Sequence, residues 1–270
     1  MEPGDIDNRP PAVEDILNET QRRLHTRASQ KTSSQQAWAN RLNRGVFWLA
    51  CHWLAVFNVL VGIFIGGALL PPIFLKLELP GPANVLYAIY RPLCHQYSFR
   101  SWFFFGSQLA DPLDPPIYMS TYEERKAFME DMNALRQFIG NAHMGYKTAL
   151  CQRDVAIYGS MLLAGLIYGV LRRRKSIQPW PMWRYFAFGI LPMMFDGGIQ
   201  WISYAVWLYF PSLIEIPFET IPLMRVLTGA LFGLGIVAAA YPYLNEYFED
   251  VHRVLQQKFK ATISSLEVIS

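Results

Sequence analysis

Four long apolar blocks decide the class of this chain: Val46 to Leu70, Val155 to Leu171, Trp183 to Tyr209 and Ile221 to Tyr243. About 20 consecutive apolar residues are needed for a helix to cross the hydrocarbon core of a bilayer. Each block reaches or approaches that length, and the second, the shortest, borrows residues from its flanks. A content of 52% hydrophobic and 15% aromatic residues in 270 is too apolar for one or two soluble domains. The expected architecture is all-α: a polytopic helical bundle of about four transmembrane helices with an outer amphipathic helix. The lipid bilayer is the first partner this implies.

Charge placement orients the expected bundle. Arg172, Arg173, Arg174, Lys175 and Arg184 fill the short connection after the second block with no acidic residue among them, and Arg41 and Arg44 precede the first block. The positive-inside rule puts both groups on the cytoplasmic side of a cell membrane. Four spans then leave both termini cytoplasmic and residues 76 to 153 outside. The net charge of +3 is too small to argue for nucleic acid. No small-residue cleavage pattern follows the first block, so Val46 to Leu70 is expected to serve as an insertion signal that is kept.

Three regions follow from composition. Residues 1–45 are polar and read as a largely disordered cytoplasmic tail, with Val13, Ile16, Leu17 and Leu24 at roughly helical spacing within it. Residues 46–245 form the transmembrane domain, with an outer insertion at 110–150, and residues 246–270 form a second cytoplasmic tail. The insertion holds a loop, Asp111 to Pro116. Beyond it Ser120 and Glu123 stand at capping-box spacing, and Phe128, Met132, Leu135 and Ile139 fall on one side of a charged helix. Tyr97 to Phe105 reads as an aromatic belt at the headgroups, with Arg100 inside it. Gly62 and Gly66, Gly165 and Gly169, and Gly229 and Gly233 are small residues four apart, a pattern that allows tight helix packing.

Two polar groups break this apolar background. Asp196 lies inside the third block, four residues from Gln200, so both side chains share one helical face. A carboxylate at that depth costs a few kcal/mol unless it has a partner or a polar cavity. Glu219 and Arg225 are candidates for the same intramembrane cluster; Arg225 and Arg153 are alternative ion-pair partners for Asp196. The other group is Cys94-His95-Gln96 together with Cys151-Gln-Arg-Asp154. Thiolate, imidazole and carboxylate are all zinc ligands, so Cys94, His95, Cys151 and Asp154 could complete a tetrahedral site. Cys94 and Cys151 both fall in the expected outer segment, where an oxidising compartment would equally allow a disulfide. His52 has no companion ligand in sequence, and His143 and His252 read as solvent-facing.

The motifs Cys94-His-Gln96, Ser98-Phe-Arg-Ser with Phe105-Gly-Ser-Gln108, Cys151-x-Arg with Ile157-Tyr, Leu191-Pro-x-x-x-Asp-Gly-x-x-Gln200, and Leu223-x-Arg-x-x-Thr-Gly229 with Leu231-Phe-Gly233 occur in that order. In this the chain resembles a family of predicted bacterial and archaeal integral membrane proteins whose domain has no assigned function. The resemblance implies a membrane bundle over about residues 46 to 240 and supplies no activity. It also implies C-x-R-C where this chain has Asp154, and a much shorter passage from the Phe-Gly motif to Cys151. Aspartate at 154 would abolish a redox pair of neighbouring cysteines but could still bind metal.

No phosphate loop, nucleophile elbow, dinucleotide fingerprint or H-E-x-x-H is present, so an ordinary soluble enzyme has no support. Three functions stay open. The first is a membrane protein with a metal-binding or redox-sensitive outer site that handles a small or lipid-like ligand. The second is a non-catalytic subunit or assembly factor of a larger membrane complex. The third is an ion- or proton-coupled transporter using Asp196, which with four spans would need a homo-oligomer.

Overall fold

The computed structural model describes residues 33–107, 109–110, 132–210, 212–214 and 217–267. The helix expected within residues 13 to 24, the loop at 111 to 116 and the capping box at Ser120 and Glu123 lie outside these residues. Helices dominate: α1 (Ser33–Lys76), α2 (Pro80–Tyr90), α3 (Met132–Gln137), α4 (Gln152–Leu171), α5 (Met182–Tyr185), α6 (Leu191–Tyr209) and α7 (Pro222–Glu267). Five residues of π-helix, Phe186–Ile190, join α5 to α6 without a break. Helix α1 begins ahead of the boundary expected at residue 46. Among the described residues, three helices are long and apolar enough to cross a membrane: Ala37–Lys76, Gln152–Leu171 and Pro222–Lys260.

The chain divides into two compact units, Met1–Cys51 with Val251–Ser270, and His52–Asp250. In the first, Phe47 of α1 stacks on His252 of α7 at 4.8 Å between ring centres, and Phe259 meets it edge-on at 5.6 Å. In the second, Trp53 anchors one cluster with Leu54, Tyr168, Val237 and Tyr241, which ties α1 to α4 and α7. A second cluster lies roughly 22 Å further along α1, at 1.5 Å per residue. It packs Ala68 against Ala83, Tyr87 and Tyr90 of α2, Cys94, and Ala149 and Leu150.

The purely helical expectation misses a small antiparallel sheet. Strands β1 (Ser101–Phe104), β2 (Gly140–Asn141) and β3 (Gly145–Cys151) pair in the order β1-β3-β2, with Ser101 opposite Cys151 and Phe103 opposite Lys147. Gly140 and Gly145 take φ of 99° and 90°, a left-handed backbone that turns β2 into β3 and that glycine adopts at little cost. The aromatic run read as a headgroup belt is therefore partly interior: Phe99 and Phe103 are buried. Leu135 of α3 packs on Phe99, so the apolar side expected of the outer helix closes on the sheet region through a six-residue helix among the described residues.

Candidate metal centre and polar cavity

The Cys94-His-Gln turn is fixed by its last residue. Cys94 follows α2 closely enough for its N–H to donate to the Tyr90 carbonyl at 3.0 Å. Gln96 is buried with φ of 58°, an unusual backbone for a non-glycine residue. Its side-chain amide donates to the carbonyls of Tyr87 at 2.9 Å and Ala149 at 3.2 Å, and its own carbonyl accepts from Lys147 Nζ at 2.8 Å. These bonds clamp the end of α2 onto β3. Cys94 is thereby set beside Cys151, where β3 runs into α4.

Three of the expected ligands converge. The Sγ atoms of Cys94 and Cys151 and a carboxylate oxygen of Asp154 all lie within 4.8 Å of one another. Both cysteines are thiols. The Cys151 thiol has two acceptors in reach, Asp154 Oδ2 at 3.2 Å and the Cys94 sulfur. The hydrogen bond from Cys151 holds the Cys94 thiol below its ordinary value, against the opposing effects of burial and of Asp154. Donating that bond, together with burial, pushes Cys151 well above its own. His95 stands apart from the three: it is exposed, and its ring stacks on Tyr97 at 5.5 Å.

A tetrahedral zinc with sulfurs at about 2.3 Å separates them by about 3.8 Å, so this donor set needs only a small adjustment to hold a dication. Cys94, Cys151 and Asp154 would supply three ligands. A fourth position would be open to water or to a bound group.

The polar cluster expected around Asp196 is larger than the sequence shows. Asp196 pairs with Arg153 and also accepts from Thr228 Oγ1 at 3.0 Å; of the two partners expected, the structure selects Arg153. Arg153 Nη2 reaches on to Gln200 Oε1 at 2.9 Å, and Gln200 Nε2 donates to Glu219 at 3.1 Å and to Thr220 at 2.7 Å. Glu219 is the hub, because it also accepts from Tyr204 at 2.6 Å, from Arg225 at 2.9 Å and from Arg100. Arg225, almost fully buried, donates as well to the Phe99 carbonyl and to Gln152 Oε1, each at 3.0 Å. Asp196, Gln200, Glu219 and Arg225 thus fall within one network, joined by Arg100, Arg153, Gln152, Tyr204 and Thr228. Tyr204 continues the four-residue stripe of Asp196 and Gln200 by one more turn, a signal available in the sequence. Gln152 and Arg100 carry no such signal, since their partners come from distant segments.

Two adjoining cavities connect the two groups. The larger, about 310 Å³, is lined by His95, Tyr97, Arg100, Arg153, Gly197, Gln200, Trp201 and Tyr204. The smaller, about 240 Å³, includes Cys94, Cys151 and Asp154 in its wall. His95, Tyr97, Arg100 and Arg153 belong to both. Arg100 lies over the rings of Tyr97, Phe99 and Tyr204 at 5.3 to 5.7 Å, a cation–π setting that favours its charge.

Comparison with known families finds a match to part of the chain. A family described as predicted membrane protein (DUF2085), a domain of unknown function, matches residues 136–239. This stretch holds Cys151, Arg153, Asp154, Asp196, Gln200, Glu219 and Arg225, and stops short of the Cys94-His-Gln motif. No curated protein and no solved structure matches the chain.

Proposed function

We propose that this is a four-span membrane protein that holds a divalent metal, with zinc the first candidate, on Cys94, Cys151 and Asp154, and that handles a small or lipid-like ligand in the cavity beside it. The observation that supports the metal most is the convergence of two thiols and a carboxylate from the end of α2, the end of β3 and the first turn of α4 within 4.8 Å. Surface acids gather without a metal; two sulfur donors beside a carboxylate, one of the three buried and the other two half-buried, are a more selective set. Support for the fourth span, α5 through α6, comes from its inverted polarity. Asp196, Gln200 and Ser203 are buried, whereas Phe195, Trp201 and Ile202 are 61%, 73% and 56% exposed. A helix that hides its polar face and presents its apolar face suits a lipid surround.

The Asp196 network supports a structural role more than a transport path, since its carboxylate is already held by Arg153 and Thr228. The metal test is elemental analysis of the purified protein with a thiol count under denaturing, non-reducing conditions. One equivalent of zinc with three free thiols in the wild type, and loss of the zinc in Cys151→Ser, is the expected result. A metal-free wild type with one free thiol would mean a Cys94–Cys151 bridge and would put the scaffold or assembly reading first.

A further inference from the structure

We infer that the cavity between Arg100 and Arg153 binds a phosphate group, either a lipid headgroup or a free phosphate. This deepens the ligand role proposed for the same cavity and does not rest on the metal. The argument begins with hydrogen-bond capacity. A guanidinium offers five N–H donors in a rigid fork that matches phosphate oxygens. Arg153 uses only Nη2, on Asp196 and Gln200; its Nε is buried with no hydrogen-bond partner among the described residues. Arg100 uses Nε and Nη2, both on Glu219. The Nη1 groups of both arginines therefore have no hydrogen-bond acceptor among the described residues, and both side chains line the same cavity.

The charge of the lining points the same way: among the described residues the wall of the larger cavity holds Arg100 and Arg153 and no carboxylate. The hydrogen-bonded network joins three guanidiniums, of Arg100, Arg153 and Arg225, to two carboxylates, of Asp196 and Glu219. Asp154 stands in the wall of the smaller cavity, where its carboxylate accepts from the Cys151 thiol, and no ion pair joins it to either arginine among the described residues. An anion entering the larger cavity would meet donors already held in place by Glu219 and Asp196, so little side-chain entropy is lost on binding. Tyr97, Trp201 and Tyr204 complete the wall. Aromatic side chains with a polar edge suit a site where a headgroup meets acyl chain.

The test uses full-length protein in a neutral detergent. Intrinsic fluorescence and melting temperature are followed during titration with inorganic phosphate and, separately, with dihexanoyl phosphatidic acid. Chloride at matched ionic strength and dihexanoylglycerol serve as controls. A saturable response to a phosphate ligand is expected, at least tenfold weaker in Arg153→Gln. Because Arg153 also holds Asp196, a second variant leaves the arginines in place: a Cβ at Gly197 would stand 3.4 Å from Arg153 Nη1, so Gly197→Leu should fill the cavity and weaken the response as much.

Response to both ligands supports the proposal with free phosphate sufficient; response to phosphatidic acid alone supports it with a lipid source. No saturable response to either ligand, an equal response to dihexanoylglycerol, or an unchanged response in both variants would overturn it. The same titration of Cys151→Ser separates the two readings. Phosphate response without metal in the wild type overturns only the metal, and metal without phosphate response overturns only the anion site.

Discussion

Glu219 accepts from Arg100, Arg225, Gln200 and Tyr204, whereas Asp196 accepts from Arg153 and Thr228. Removing one partner of a buried pair leaves the other charge uncompensated, and the loss grows with the number of donors stranded. Glu219→Gln should therefore cost about 3 kcal/mol, and Asp196→Asn about 2 kcal/mol, the latter reduced because Arg153 keeps contact with the cavity. Thermal unfolding in detergent checks the order. A larger loss for Asp196→Asn would contradict the hub role of Glu219. The sequence shows Asp196 and Gln200 as a pair because helical spacing is local. It shows Glu219 only as a polar residue near a span, since Arg100 reaches it from 119 residues away. Gln96 is harder still: its role depends on a left-handed backbone that no spacing rule reveals.

Among the elements, the glycine pairs separate into those that pack and those that do not. A Cβ at Gly233 would collide with Ser160 Oγ and the Ile157 carbonyl of α4, and one at Gly229 would sit 2.6 Å from the Arg153 carbonyl. Helices α4 and α7 thus approach through the Gly229-xxx-Gly233 face, which also places Thr228 beside Asp196. Gly66 has nothing within 4 Å of such a Cβ. Gly233→Ala should lower the melting temperature sharply. Gly66→Ala should leave it level or raise stability by up to about 1 kcal/mol through helix propensity. Equal effects would mean that the α4–α7 approach is not tight. The sequence pattern is the same at both sites, and only the facing helix decides which one matters. The small sheet is hidden for a similar reason: β1 and β3 are over forty residues apart in sequence, and each alone reads as an apolar or aromatic run.

For the whole molecule, the apolar exposed faces of α4 and α6 are the legible part, because they are written directly into composition. The count of spans is less legible, since Asp196 and Gln200 dilute the third apolar block. Four spans place both termini on one side of the membrane, and three would place them on opposite sides. Reporter fusions at each terminus should therefore report the same compartment, the cytoplasm by the charge of residues 172 to 184. Opposite compartments would remove α5–α6 as a span.

The ion pairs carry a last consequence, for the birth of the protein. Chains are made from the N-terminus, so Arg153 leaves the ribosome 43 residues before Asp196, and Arg100 leaves 119 residues before Glu219. Each acid of the network is therefore made after a base that can receive it, and neither has to wait alone.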